Sequence, residues 1–182
     1  MPVESDLYYK KVDLNIVFPK NIIEIINDKN FFFINGNINN YDDFVKILKY
    51  CNKKNICVLV STNQNSYLNK IDNTLKKNIV NIGYLNDKFL MYYIISKCLA
   101  GLCLYDNKNI NQIYSSSTKF YDFLIYNKPI IYSNNFGIKK EVEFASQYVI
   151  DYNKFCNVDD LNESYNISNK DNFLINKRLI FE

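Results

Sequence analysis

From residue 31 onward, short apolar runs alternate with segments whose apolar residues recur at helical spacing, and this alternation limits the fold more than any other feature of the 182-residue chain. Phe31-Phe32-Phe33-Ile34 is short enough for a buried strand and ends at Asn35-Gly36-Asn37. Phe44, Ile47, Leu48 and Cys51 follow at i, i+3, i+4 and i+7, one face of a helix that starts near Asp42 and Asp43. The same sentence repeats: strands at 56–60, 79–82, 100–105, 130–133 and 148–150, with helical stripes through Leu68, Ile71 and Leu75, through Phe89, Leu90 and Ile94 behind an Asn86 cap, through Phe120, Phe123 and Leu124, and around Glu141 and Phe144. Residues 106–114 read as a loop. Strands alternating with helices imply an α/β domain of three layers with a mostly parallel sheet.

The chain has room for one substantial core rather than two. Its 22 basic and 19 acidic residues are spread without a run of like charge, which argues against nucleic acid as the main partner. No stretch approaches the about 20 apolar residues that cross a bilayer, and Met1–Asp6 lacks the basic and apolar regions of a signal peptide, so the expectation is a cytoplasmic protein without a transmembrane segment. Five cysteines without a CxxC pair, and no histidine, speak for buried thiols and against a metal site.

Three places could carry chemistry, each at a strand's carboxyl end, where open α/β sheets bind ligands. In the first, Gly36 and Asn37 follow the first strand, and a glycine there lets a phosphate approach the backbone; an ordinary Asn-Gly turn explains the same residues. The second is Ser115-Ser116-Ser117-Thr118-Lys119, a hydroxyl-rich helix entrance whose amides and dipole suit a diphosphate, with Asp122 one turn further in. A capped helix with a solvated lysine and aspartate is the plain alternative. In the third, Gly83-Tyr84-Leu85 offers backbone amides and a flat side chain for a base, or simply a turn from strand to helix.

Residues 117–131, STKFYDFLIYNKPII, resemble the segment of GT-B glycosyltransferases of the family 4 type that reads approximately S-x-P-N-K-x-x-E-Y-x-x-x-G-K-P-V-I. Asn81-Ile82-Gly83-Tyr84-Leu85 resembles that family's strand-Gly-x-Val segment and Phe33-Ile34-Asn35-Gly36-Asn37 its glycine turn, so the likeness runs from about residue 31 to about 151. It implies a Rossmann-like domain that holds a nucleotide sugar, with Asp122 in place of the ribose-binding Glu, residues 115–119 facing the diphosphate, Gly83, Tyr84 and Leu85 near the base and Gly36 near the phosphates. The chain departs from the pattern in three ways: Asp122 is one methylene shorter than Glu, Asn127 stands where glycine is usual, and no paired Arg and Lys follow Gly36.

The resemblance divides the chain into a tail or remnant of an interdomain linker (1–30), the nucleotide-sugar-binding domain (31–156) and a C-terminal helical extension (157–182). It further implies that an acceptor-side domain precedes this one, and only about 30 residues do here. The expected function is therefore the donor-side half of a glycosyltransferase, serving a glycan or lipid-linked acceptor in polysaccharide biosynthesis. That half needs an acceptor-side partner for transfer, reaches the membrane surface only through that partner, needs no cofactor or metal, and has no catalytic residue of its own. A degenerate interaction module of the same fold is the alternative. A flavodoxin-like or response-regulator-like protein fits less well, because no acidic pocket or phosphate loop accompanies the first strand.

Overall fold

The computed structural model describes residues 14–28, 30–114, 117–147 and 155–161. In chain order the elements are α1 (Leu14–Val17), α2 (Lys20–Asp28), β1 (Phe31–Asn35), α3 (Tyr41–Lys54), β2 (Cys57–Ser61), α4 (Asn65–Asn69), α5 (Asn73–Lys76), β3 (Ile79–Asn81), α6 (Lys88–Lys97), β4 (Ala100–Cys103), α7 (Ile110–Ile113), α8 (Thr118–Ile125), β5 (Ile130–Tyr132), α9 (Phe136–Ser146) and β6 (Phe155–Asn157), closed by a 3₁₀ turn at Val158–Asp160. The six strands form one sheet in the order β3-β2-β1-β4-β5-β6, and every pairing is parallel. This is the order of a doubly wound Rossmann sheet, whose direction of winding reverses between β1 and β4.

A parallel strand covered on both faces has no polar face to show, and β1 demonstrates it. Phe31 and Phe33 enter a core with α2, α6 and α8, whereas Phe32 and Ile34 enter a second core with α3 and α5; all four side chains are essentially without solvent contact. Alternation across the pleat therefore fills two cores from one run of apolar residues. Leu14, Phe18, Ile25 and Ile26 bury themselves in the first core, so residues 14–28 pack as part of the folded unit.

Several elements differ locally from these expectations. The stripe Leu68–Leu75 is not one helix but α4 and α5, because the Asp72 carboxylate accepts the N–H of Thr74 and starts a new turn there. The cap of α6 is Asp87 rather than Asn86, its carboxylate accepting from Phe89 and Leu90. The loop 106–114 contains α7, capped by Asn109. Tyr148–Ile150, read as the sixth strand, lies outside the described residues; the strand that pairs with β5 is β6, with Ile131 opposite Cys156. Asn127 takes the left-handed conformation (φ 56°) that a glycine would take, and the N–H groups of Asn127 and Lys128 bond back to the carbonyls of Leu124 and Phe123, closing α8 with a Schellman motif.

Candidate functional site

Among the described residues the buried polar and charged side chains are Asp43, Ser61, Thr62, Ser117, Ser133, Asn135 and Glu141. All of them sit at strand carboxyl ends, at helix caps or in the first two turns of the helices that follow. Burying polar groups is costly without partners, so their gathering on one edge marks that edge as the polar side of the molecule. Asn40 helps to fasten it: its side-chain amide reaches Asp43 at 2.8 Å, the carbonyl of Tyr105 at 3.2 Å and Ser133 Oγ at 3.4 Å, tying the start of α3 to the ends of β4 and β5.

The turn after β1 and the turn after β3 are held by one residue. Ser61, wholly buried at the end of β2, accepts the N–H of Gly36 on its carbonyl at 2.7 Å and the N–H of Leu85 on its hydroxyl at 3.1 Å. Gly36 (φ 82°) and Gly83 (φ 73°) both adopt the left-handed backbone that favours glycine. Gly83 donates its N–H to the Asn81 side chain, and a β-carbon there would point into open space. Tyr84 is exposed, Leu85 half-buried, and Asn37 faces solvent.

The entrance of α8 reaches the same place from β4. Lys119 Nζ lies 3.0 Å from where a β-carbon on Gly36 would stand, so the missing side chain at 36 is filled by an ammonium group. Burial pushes the Lys119 pKa down from its ordinary value. The titratable neighbour felt most is Cys103, whose thiol burial pushes up to about 12 and which therefore carries no charge at neutral pH. No ion pair to Lys119 forms among the described residues. Next to Gly36 in the chain, the Asn35 side-chain N–H donates to Met91 Sδ at 2.7 Å, and its buried Oδ1 has no hydrogen-bond partner.

Ser117 is the α8 cap. Its hydroxyl accepts from the N–H of Phe120 at 3.2 Å and pairs with the Tyr105 hydroxyl at 2.8 Å, while its own N–H donates to Glu141 Oε1 at 2.8 Å. A protein carboxylate thus already occupies one amide of the expected anion site. Thr118 is exposed, and Ser115 and Ser116 lie outside the described residues. Asp122 lies near Tyr92 and Lys88 of α6; burial outweighs the favourable influence of both and pushes its pKa up. The structure therefore brings Gly36, Ser117 and Lys119 together, and links Gly83–Leu85 to them through Ser61. Asp122 is set one turn deeper.

Sequence reasoning named Asn35 only as part of the turn after the first strand and missed Ser61, as it did Tyr92 and Glu141. The first two carried a usable signal, a polar residue closing an apolar strand, where side chains must meet either ligand or loop. Tyr92 and Glu141 carried none, since each acts across elements distant in sequence.

No protein-family model and no curated protein sequence matches the chain. Solved structures do: AviGT4, a glycosyltransferase involved in avilamycin A biosynthesis, superposes with a TM-score of 0.52 at 10% identity over 67% of this chain and 38% of that one. An epimerase described as acting on UDP-N-acetylglucosamine, from Listeria monocytogenes, gives 0.48 at 10% identity over 69% and 34%. A UDP-forming trehalose-phosphate synthase from Burkholderia xenovorans gives 0.48 at 7% identity over 79% and 36%. The chain spans little more than a third of the length of these structures. Among the described residues, no helix is long and apolar enough to cross a membrane. The molecule is a Rossmann-like α/β domain with a six-stranded parallel sheet, the fold of the part of the glycosyltransferase AviGT4 that it matches.

Proposed function

We propose that this chain is the nucleotide-sugar-binding half of a glycosyltransferase. The observation that carries the reading is Lys119: a desolvated ammonium without a counter-charge among the described residues, set against Gly36 at the point where the sheet reverses its winding. A half-buried cation without a counter-charge is costly, and a diphosphate would supply the missing charge. Gly36, Asn37 and Ser115 to Lys119 would then border the diphosphate. Asp122, beside Tyr92, would accept from the ribose hydroxyls, and Gly83, Tyr84 and Leu85 would border the base across the short span that Ser61 fixes. In transfer the departing diphosphate gains negative charge, which Lys119 would stabilise; the acceptor, a glycan or lipid-linked sugar, would be held by a second domain or chain.

Isothermal titration of the folded chain with UDP and GDP is the direct test. Saturable heat with either, weakened by Asp122→Ala, supports the donor site; no heat at millimolar ligand defeats it. One contact favours a second reading, a non-catalytic interaction module: Glu141 already caps the Ser117 amide that a phosphate would use.

A further inference from the structure

In a parallel α/β sheet the helices run back against the strands, so the amino edge collects strand starts and helix carboxyl ends. There, away from the donor rim, α2 and the starts of β1, β2 and β3 surround a cavity of about 360 Å³. Its volume falls within the range of small-molecule sites. Ile25, Ile56 and Val80 form an apolar floor, and the polar groups are Asn30, Asn55, Asn78 and Lys77. Among the described residues no carboxylate side chain lines it.

The three asparagines combine fixed backbones with available side chains. The Asn30 carbonyl accepts the N–H of Cys57 at 3.1 Å, and Asn78 donates to the Leu75 carbonyl at 3.2 Å and accepts from Val58 at 2.7 Å. Asn55 closes α3 in the left-handed conformation (φ 54°), its N–H bonded to the Cys51 carbonyl. The Asn78 side chain gives one amide hydrogen to Asn52 at 3.3 Å and keeps its oxygen; the carboxamides of Asn30 and Asn55 and the ammonium of Lys77 have no partner among the described residues. Asn30, Asn55 and Lys77 are exposed and Asn78 is half-buried, so a ligand in solution reaches them.

We propose that this cavity binds a neutral monosaccharide unit, a pyranose whose C–H face rests on Ile25, Ile56 and Val80 and whose hydroxyls pair with the Asn30, Asn55 and Asn78 carboxamides. A carboxamide sets a donor beside an acceptor, and every sugar hydroxyl is both, so two adjacent hydroxyls bind one asparagine at two points. Two other occupants fit less well. A phosphate would find one ammonium, Lys77, but also the negative carboxyl end of the 14-residue α3, which Asn55 caps. A wholly apolar guest would strip water from three carboxamides and return no hydrogen bonds.

The cavity and the donor rim lie on opposite edges of the sheet, so a glycan held here leaves the rim open. That role, keeping an acceptor or product chain on the protein, rests on the glycosyl-transfer reading; the binding itself does not, and is measured apart from it.

Amide shift mapping on the whole chain tests the site, with methyl pyranosides of glucose, galactose, mannose and N-acetylglucosamine and with maltotriose, each at millimolar concentration. At least one sugar is expected to move the amides of Asn30, Asn55, Cys57 and Asn78 and to leave Gly36 and Lys119 in place. Asn55→Gly, which suits the left-handed backbone and so keeps the helix end, and Asn30→Ala, at an exposed position, should each weaken that sugar about fivefold, the loss expected of one hydrogen bond. UDP or GDP binding should be unchanged in both variants, which separates the failure of this site from the failure of the donor reading. No movement with any sugar, movement that both variants leave undiminished, or movement of these amides by inorganic phosphate and by no sugar would each overturn the proposal.

Discussion

Lys119 concentrates the electrostatics of the donor rim in one side chain. A lysine that loses water without gaining a carboxylate lowers the stability of the ligand-free fold, so Lys119→Met, which keeps the stem and removes the charge, should raise the thermal midpoint. The same change should weaken UDP or GDP at least tenfold, about 1.4 kcal/mol, as measured by calorimetry. The pH dependence has a fixed sign. Because the folded pKa of Lys119 lies below its unfolded value, this group's unfavourable contribution is present below the folded pKa and disappears as pH rises toward the unfolded one, near 10.4. Diphosphate affinity runs the other way, falling as pH rises through the lowered pKa. Lys119→Arg should abolish that fall, since a guanidinium stays charged throughout.

The position of α8 is decided by a glycine that sequence reading passed over. Gly101 lies in the middle of β4, and a β-carbon there would fall inside the van der Waals envelope of the Phe123 ring, which is itself fully buried and packed edge-on to Phe33 at 6.3 Å between centroids. Gly101→Ala should therefore cost about 1–3 kcal/mol through overpacking, seen as a lower urea midpoint, and Phe123→Leu in the same chain should restore part of it. Strands β1 to β5 were legible because each appears as a short apolar run, whereas β6, with Asn157 in its three residues, carries no such run and was not read. Helix starts were less so: Asn86 and Asp87 are both able to cap, and only the turn geometry selects Asp87. Asn127 was read as a departure from a glycine pattern, yet its amide side chain tolerates the left-handed backbone and the helix ends as the glycine would end it. The Gly36, Gly83 and Lys119 positions were visible as residues at strand ends. Their mutual contacts were not, because Ser61 and Lys119 act across loops that no local pattern connects.

For the molecule as a whole, an all-parallel sheet puts every strand's carboxyl end on one edge, and the adjacent strands β3, β2, β1 and β4 set the span of the rim at about 4.8 Å per step. The opposite edge carries a cavity of about 360 Å³ lined by Asn30, Asn55, Lys77 and Asn78, far from the sheet's reversal point. Amide shift mapping during a UDP titration is thus expected to move Gly36, Gly83, Leu85 and Lys119 and to leave Asn30, Asn55 and Asn78 in place; the reverse pattern would put the ligand on the wrong edge. Ser61 gives this arrangement a mechanical property. With its carbonyl clasping one loop and its hydroxyl the other, the two cannot drift apart separately, so a bridging guest meets a gauge already set to length and spends little of its affinity on freezing the loops.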